Sequence, residues 1–344
     1  MARDRGKAVV FTRPYRAEVH EGVRFPTNDA EGVVIQTQYS VISRGTELDL
    51  YTNQMHGRGA NAQWYPILPG YMPVGPVVEV GSAVTHLKEG DLAIGSNLFG
   101  DFDERYCCAW GGHCEYTVVS RASHPNCAAQ RAVRVPDGIE PRFAPLAVLG
   151  AVAYKGVDMK VRPRAGETVA VVGAGVIGNF AAQLCRLAGA DVVIADLVPQ
   201  RLAVARQCGL TQTINAGEQS LEDSIRQLGG GRGPDVIIDV TGEPNVLEKL
   251  LHLPRVGGRV HGQGMYLEPV GIYFPETLFG RDLTLSATCG EMPEHASAVL
   301  DLMAQGKLTY QPLLSDVMPV ARATEAYQRV HDQPDQVMTV ALAW

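Results

Sequence analysis

The stretch VAVVGAGVIGNFAAQLCRLAGADVVIAD, residues 169–196, constrains the fold of this chain more than any other. An apolar, β-branched run leads directly into Gly173-Ala174-Gly175-Val176-Ile177-Gly178. A helical pattern from Val176 to Ala188 follows, and then a second strand-like run that ends in Asp196. Strand, glycine turn and helix in that order make the start of a βαβ unit. Gly173 permits the tight turn, Gly175 keeps any side chain away from an approaching pyrophosphate, and Gly178 lets helix and strand pack closely. The pyrophosphate then sits on the helix N-terminus, where free amides and the helix dipole favour an anion. Asp196 lies about 20 residues further on, where a carboxylate accepts hydrogen bonds from the adenosine ribose. Its charge disfavours a 2′-phosphate, and the following Leu197-Val198-Pro199-Gln200 supplies no basic pair to receive one. The expected cofactor is therefore NAD, with Arg201 staying solvated or stacking near the adenine.

The surrounding pattern supports a parallel sheet. From Gly166 onward, strand-like runs (DVVIAD, DVIIDVTG, GGRVHGQG, DLTLSATCG) alternate with helical ones (PQRLAVARQCG, EPNVLEKLLHL), which implies right-handed βαβ connections. Up to about Pro136 the chain instead shows short β-branched runs broken by turn residues, such as KAVVFT, EGVVIQTQYSVI and GPVVEVGSAV, and reads as β-rich. The final stretch offers two helices, HASAVLDLMAQG and ATEAYQRV, and a closing strand, VMTVALAW. With 344 residues, 46% of them hydrophobic and 19% charged, the chain is long enough for about two well-buried domains.

Charge and cysteine usage narrow the function. A net charge of -7 without any basic cluster leaves no electrostatic footprint for nucleic acid or an anionic membrane, and fits a small-molecule substrate. No apolar run reaches the roughly 18 residues that a bilayer crossing needs, and MARDRGKAVVF does not read as a signal peptide. A cytoplasmic setting is expected. Seven cysteines (Cys107, Cys108, Cys114, Cys127, Cys185, Cys208, Cys289) make an odd count that suits reduced thiols.

The order of these parts resembles the medium-chain dehydrogenase/reductase superfamily, the zinc alcohol and polyol dehydrogenases, over essentially the whole chain. The likeness is carried by GTELDLY (45–51), by LPGYMPVGPVVEVGSAV (68–84), similar to that family's lPGHEfvGvVvEVG, by GGHCEYTVV (111–119), and by VAVVGAGVIG and DVIIDVTG. It implies an α/β chain: a GroES-like β-barrel catalytic domain over 1–149, a Rossmann doubly wound parallel sheet that binds NAD over 150–289, and a return segment, 290–344, completing the catalytic domain. It also implies hydride transfer between nicotinamide and a substrate carbon.

The resemblance places a catalytic zinc on a Cys before the GTD element, on the His or Glu of GHE, and on a Cys, Glu or Asp near the crossover to the second domain. Here Arg44 precedes Gly45-Thr46-Glu47, Gly70-Tyr71-Met72 replaces GHE, and the window Ala144–Leu149 has no zinc-binding side chain. A catalytic zinc needs three protein ligands, and a cation such as Arg44 would repel it. No metal is expected. The four cysteines that could answer to the family's structural zinc are irregularly spaced, with Cys107 and Cys108 adjacent and Cys127 far off, and read as plain thiols; His113 is expected to pack beside the EYTVV strand.

Oxidising an alcohol without zinc still requires removal of the hydroxyl proton and stabilisation of charge on oxygen. Arg44 is the candidate for the positive charge and Tyr71 for the acid/base group, since a phenol becomes a usable base near neutrality only beside a cation. The bland alternative packs Tyr71 in the floor of the cleft and pairs Arg44 with a carboxylate such as Glu47. The family places a proton-relaying hydroxyl where Thr46 stands, and Asp49 and His56 could pass the proton to solvent.

Strand ends nominate Thr241, Gly242, Gly262, Gln263, Gly264, Thr288 and Cys289 as further cofactor neighbours, Cys289 as a small apolar filler. The favoured activity is a zinc-independent, NAD-dependent interconversion of a secondary alcohol, such as a sugar, cyclitol or other polar hydroxy compound, and its ketone. SRGTE with PGY is also similar to bacteriochlorophyllide-type hydroxyethyl dehydrogenases. Zinc-free enoyl and quinone reductases using NAD(P)H, and a non-catalytic NAD-binding sensor, are the remaining alternatives. HGRGANAQWYP, residues 56–66, could line a polar pocket. DLTLSATC leaves a pairable sheet edge, from which a homodimer or homotetramer is expected.

Overall fold

The computed structural model describes residues 4–55, 65–95, 102–120 and 132–344. His56, most of the loop that follows it, and Cys127 lie outside the described residues. The chain divides into two compact units, one made of 1–148, 296–304 and 314–344, the other of 149–295 and 305–313.

The first unit is β-rich. One sheet orders the strands Arg16–Arg24, Arg5–Arg13, Ile67–Leu68 and Cys107–Cys108. A larger one runs Val133–Arg134, Leu92–Ile94, Pro73–Val80, Tyr39–Val41, Val340–Ala343 and Asp316–Pro319, with Val33–Gln36 joining Pro73–Val80 to Tyr116–Val119. The closing strand Val340–Ala343 lies antiparallel to Tyr39–Val41, so the last residues of the chain lock against its first half. Val9, Phe11, Ile42, Tyr51, Tyr327 and Val340 share a core there. Phe11 meets the Tyr327 ring edge-on at 4.9 Å, the geometry that aligns a positive ring edge with a negative ring face.

The second unit is a six-stranded, wholly parallel sheet. Across it lie Thr213–Asn215, Asp191–Asp196, Thr168–Val172, Val236–Asp239, Arg259–Gly262 and Thr284–Ala287. The two strands central to the site, Thr168–Val172 and Val236–Asp239, are almost wholly buried, as expected when helices cover both faces of a parallel sheet. Connectivity reverses between those two, which creates the crevice where doubly wound sheets bind ligands. The register then decides which loops meet. Val172 aligns with Ala195 on one side and Asp239 on the other, Asp239 aligns with Gly262, and Gly262 with Ala287. One edge of the sheet therefore collects the turns after residues 172, 196, 239, 262 and 287. No helix among the described residues is long and apolar enough to cross a membrane.

Candidate active site

At that sheet edge the glycine turn has the geometry its sequence requires. Gly173 has a φ of +104°, open to glycine but strained for other residues, and a Cβ on Gly178 would stand 1.8 Å from the Gly173 carbonyl oxygen. The Cβ position of Gly175 faces open space, so a phosphate can approach the backbone there. The helix Val176–Leu187 begins directly after it. These features fit a dinucleotide pyrophosphate held by Gly173 through Gly178.

Asp196 ends its strand almost fully buried, with Oδ2 accepting the Ala174 amide at 2.7 Å and Oδ1 accepting the Val198 amide at 2.9 Å. It ties the glycine turn to the next loop. Arg201 is half-buried rather than fully solvated, with its Nη1 3.7 Å from Asp196 Oδ2, on the side where the adenosine is expected. A carboxylate with only two backbone donors leaves a cation nearby well placed.

The next loops form a linked polar cluster. Asp239 accepts both the amide and the hydroxyl of Thr241 at Oδ1, at 3.0 and 2.8 Å, and the Tyr266 hydroxyl at Oδ2, at 2.7 Å. Burial pushes its carboxyl above the usual range, against those donors, which pull it down. Gly242 and Gly264 pass so close that a Cβ on Gly264 would lie 2.4 Å from the Gly242 nitrogen. Gln263 Oε1 accepts from His261 Nε2 at 3.0 Å and from Thr288 Oγ1 at 3.2 Å. Cys289, expected as a small apolar filler beside the cofactor, is exposed, and its carbonyl accepts the Lys155 ammonium at 2.8 Å.

The β-rich unit holds a second, separate constellation. Glu47, on the short helix Thr46–Tyr51, has no exposed surface. Its Oε1 accepts the Ser43 amide at 3.1 Å; its Oε2 accepts from His113 Nε2 at 2.9 Å and from the Tyr327 hydroxyl at 2.6 Å. Burial first, and Glu47 second, push the Tyr327 phenol well up, so it stays protonated and donates. His113 also bonds Ser40 Oγ at 2.7 Å, which receives the Trp344 indole N–H at 2.8 Å. His113 is thus hydrogen-bonded at both ring nitrogens and does more than pack. Gly70 makes room for it: a Cβ there would come within 2.5 Å of the imidazole.

Tyr71 is buried, with its hydroxyl donating to Ser43 Oγ at 2.6 Å and its ring edge-on to Trp110. Arg44, half-buried, donates from Nη1 to the Val337 carbonyl at 2.8 Å, while Thr46 and Asp49 are also half-buried on the same helix. Glu47, Tyr71 and Ser43 therefore join through hydrogen bonds. Ser43, His113, Tyr327, Asp239 and His261 were not singled out as site residues by sequence. Only Asp239 carried a local signal, an acid at the end of an apolar strand.

The positions at which the resemblance places a zinc carry a guanidinium, a phenol and apolar side chains, none of them a zinc donor. Among the described residues, no group of three or more His, Cys, Asp or Glu is arranged to hold a metal. These residues do not fit zinc.

Residues 29–129 match the family model of the alcohol dehydrogenase GroES-like domain, and residues 176–305 that of the zinc-binding dehydrogenase. The chain is 30% identical over 264 residues to an L-threonine 3-dehydrogenase of Chelativorans sp., covering 74% of this chain and 75% of that protein. It is 29% identical over 337 residues to the L-threonine 3-dehydrogenase of Saccharopolyspora erythraea, covering 94% and 95%. A short chain alcohol dehydrogenase (rspB) from Escherichia coli CFT073, solved with NADH, superposes with a TM-score of 0.83 at 20% identity, covering 99% of this chain and 100% of the other.

Proposed function

The chain belongs to the zinc-type medium-chain dehydrogenase/reductase superfamily, and on that premise we propose that it is an NAD-dependent dehydrogenase interconverting a polar secondary alcohol and its ketone without a catalytic zinc. What carries this reading is the exchange at the zinc positions: Tyr71 stands there with its hydroxyl 2.6 Å from Ser43 Oγ, in the residue immediately before Arg44. NAD, when bound, supplies the hydride acceptor. Gly173 through Gly178 would hold its pyrophosphate and Asp196 its adenosine ribose, with Thr241, Gly242, Gly262, Gln263, Gly264, Thr288 and Cys289 on the neighbouring turns.

The side chains of the β-rich unit take the proton. Tyr71 receives it from the substrate hydroxyl as its own moves along the bond to Ser43, and Ser43 in turn releases its hydroxyl proton toward solvent by way of Thr46 and Asp49. Arg44 supplies positive charge for the oxygen that loses the proton. Glu47 fixes the Ser43 backbone and so aims the serine at Tyr71. The substrate class follows the relatives, since the 3-hydroxyl that their name specifies is a secondary alcohol next to a carbon that carries polar groups. Sugars and cyclitols share that chemistry. Assembly as a homodimer or homotetramer through the edge strand Thr284–Ala287, in the cytoplasm, completes the proposal.

The test is NADH formation from a panel of secondary alcohols (threonine, polyols, cyclitols) before and after exhaustive chelation. Chelation should leave the rate unchanged. Tyr71→Phe should lower kcat/KM by about 10²–10⁴-fold, the range for losing a positioned acid/base group. If Tyr71→Phe and Arg44→Ala both keep near wild-type kcat/KM, the assignment of these residues is wrong. NAD binding without turnover of any alcohol would favour the sensor.

A further inference from the structure

Gln263 carries an unmatched polar atom on the turn that follows the strand Arg259–Gly262, at the edge of the sheet where doubly wound folds bind ligands. Its side chain is 7% exposed, and its Nε2 is buried with no hydrogen-bond partner among the described residues. Buried donors are nearly always paired, so an orphan calls for a reason. Here the amide has little freedom to turn. The backbone is pinned by two bonds to the Asp239 carbonyl, from Gln263 N at 2.8 Å and Gly264 N at 3.2 Å. Oε1 is occupied by His261 and Thr288. Burial pushes the His261 imidazole below its ordinary range and keeps it neutral. With one ring proton to place, both ring nitrogens are satisfied when Ser286 Oγ donates to Nδ1 at 3.0 Å and Nε2–H donates to Gln263 Oε1. A Cβ on Gly156 would stand 1.9 Å from Oε1, so glycine is required beside the clamp. His261 and Thr288, with Ser286 behind the imidazole and Gly156 beside the amide, thus hold the amide oxygen and leave the Nε2 donor as the unmatched end of the side chain.

The strand order tells which part of a dinucleotide comes near. Gly173 through Gly178 take the pyrophosphate, and Asp196, one strand to one side, takes the adenosine. Gln263 follows the strand two places to the other side, about 10 Å from the glycine turn at the usual strand spacing. The nicotinamide half must extend that way. We propose that Gln263 is a cofactor-orienting residue whose Nε2 donates a hydrogen bond to the carboxamide oxygen of the nicotinamide, held for that task by His261 and Thr288. This rests on the dinucleotide reading above. Fixing the carboxamide fixes the rotation of the ring, hence which face it offers.

ADP-ribose tests the assignment, because it keeps the adenosine, pyrophosphate and both riboses but lacks the nicotinamide. Calorimetric Kd values would be measured for NAD and ADP-ribose on the wild type, Gln263→Leu and Thr288→Val, with Tm recorded for each. Gln263→Leu should weaken NAD by about 5–10-fold, as for loss of one neutral hydrogen bond, and leave ADP-ribose within about twofold. Thr288→Val keeps the donor but removes one clamp, and should weaken NAD by about two- to threefold with the same indifference to ADP-ribose. Should Gln263→Leu not fold, the Thr288→Val pair of constants decides. Equal weakening of both nucleotides, or no change in either, overturns the proposal alone and leaves the dinucleotide site standing. A wild type that binds neither nucleotide overturns the dinucleotide reading, and this proposal with it.

Discussion

Cofactor choice turns on Asp196 and its neighbour Arg201. The 2′-phosphate of NADP would replace a ribose hydroxyl at Asp196, whose two oxygens already accept the Ala174 and Val198 amides. Two penalties follow. The lost charge-assisted hydrogen bond is worth about 1.5–3 kcal/mol. Repulsion between phosphate and carboxylate adds roughly 4 kcal/mol per charge pair near 4 Å at an effective dielectric of about 20. Arg201 lies 3.7 Å from the same carboxylate, and an opposite charge at that range offsets most of the repulsion. The hydrogen-bond term is what survives, so Kd should favour NAD by about 10- to 100-fold. Arg201→Ala should widen the gap, because it exposes the phosphate to an uncompensated carboxylate. Asp196→Ser should close or reverse it, since Arg201 then faces the phosphate alone. Tm recorded for each variant controls for loosening of the glycine turn, since even Asp196→Asn keeps an acceptor for only one of the two backbone amides. Titration calorimetry with both nucleotides measures each variant. An Asp196→Ser protein that keeps the wild-type ratio would refute the reasoning, because Asp196 would then not reach the ribose.

Two further outcomes concern stability. Glu47→Ala strands the His113 imidazole and the Tyr327 hydroxyl without their shared acceptor; breaking such a buried pair costs about 3–5 kcal/mol, and the double variant with His113→Ala should cost less than the sum of the singles. Scanning calorimetry checks this, and strictly additive values would show that the two side chains are not coupled. Asp103 accepts two bonds from the Arg105 side chain, at 2.8 and 2.6 Å, and that guanidinium first, with backbone donors from Arg24 and Arg105, holds its carboxyl far below the usual range. A depressed acid stabilises the fold above its unfolded pKa, near 4, and the contribution fades as pH falls from there toward the folded value. Asp103→Asn should thus lower Tm at pH 7 by a few degrees, for an energy of about 1 kcal/mol once the exposure of Arg105 is discounted. The difference should shrink steadily in melts taken below pH 4, and a gap constant down to pH 2 would contradict it.

The second unit was legible because its signals are local. A buried β-branched strand, three glycines and a helix follow one another between Thr168 and Leu187, and each glycine answers to one steric demand that the structure shows: the φ of Gly173, the open face of Gly175, the contact at Gly178. The alternation of strand and helix then orders the sheet. Its short outer strand Thr213–Asn215 and the helix Leu221–Gly231 are not legible in the sequence, the latter because three glycines close its pattern and its backbone departs from helical geometry at Leu228. The β-rich unit was legible only as a class. Its site joins Glu47 to His113, 66 residues away, and to Tyr327, 280 residues away, and no periodicity connects such positions. The Arg201–Asp196 ion pair is not legible in the sequence for a related reason: helix pattern tells which face is polar, but not that a buried carboxylate lies beside it. Yet the long-range network is the part that gives the local substitutions their meaning. Arg44 and Tyr71 by themselves are two residues that cannot bind zinc. Glu47 holds the Ser43 backbone, and Ser43 receives the Tyr71 hydroxyl, so the loop where a metal would be ligated is instead braced from within by a buried acid. If that brace serves the proton transfer, Glu47→Gln should lower kcat more than it raises KM; if it serves only the fold, Tm alone should move.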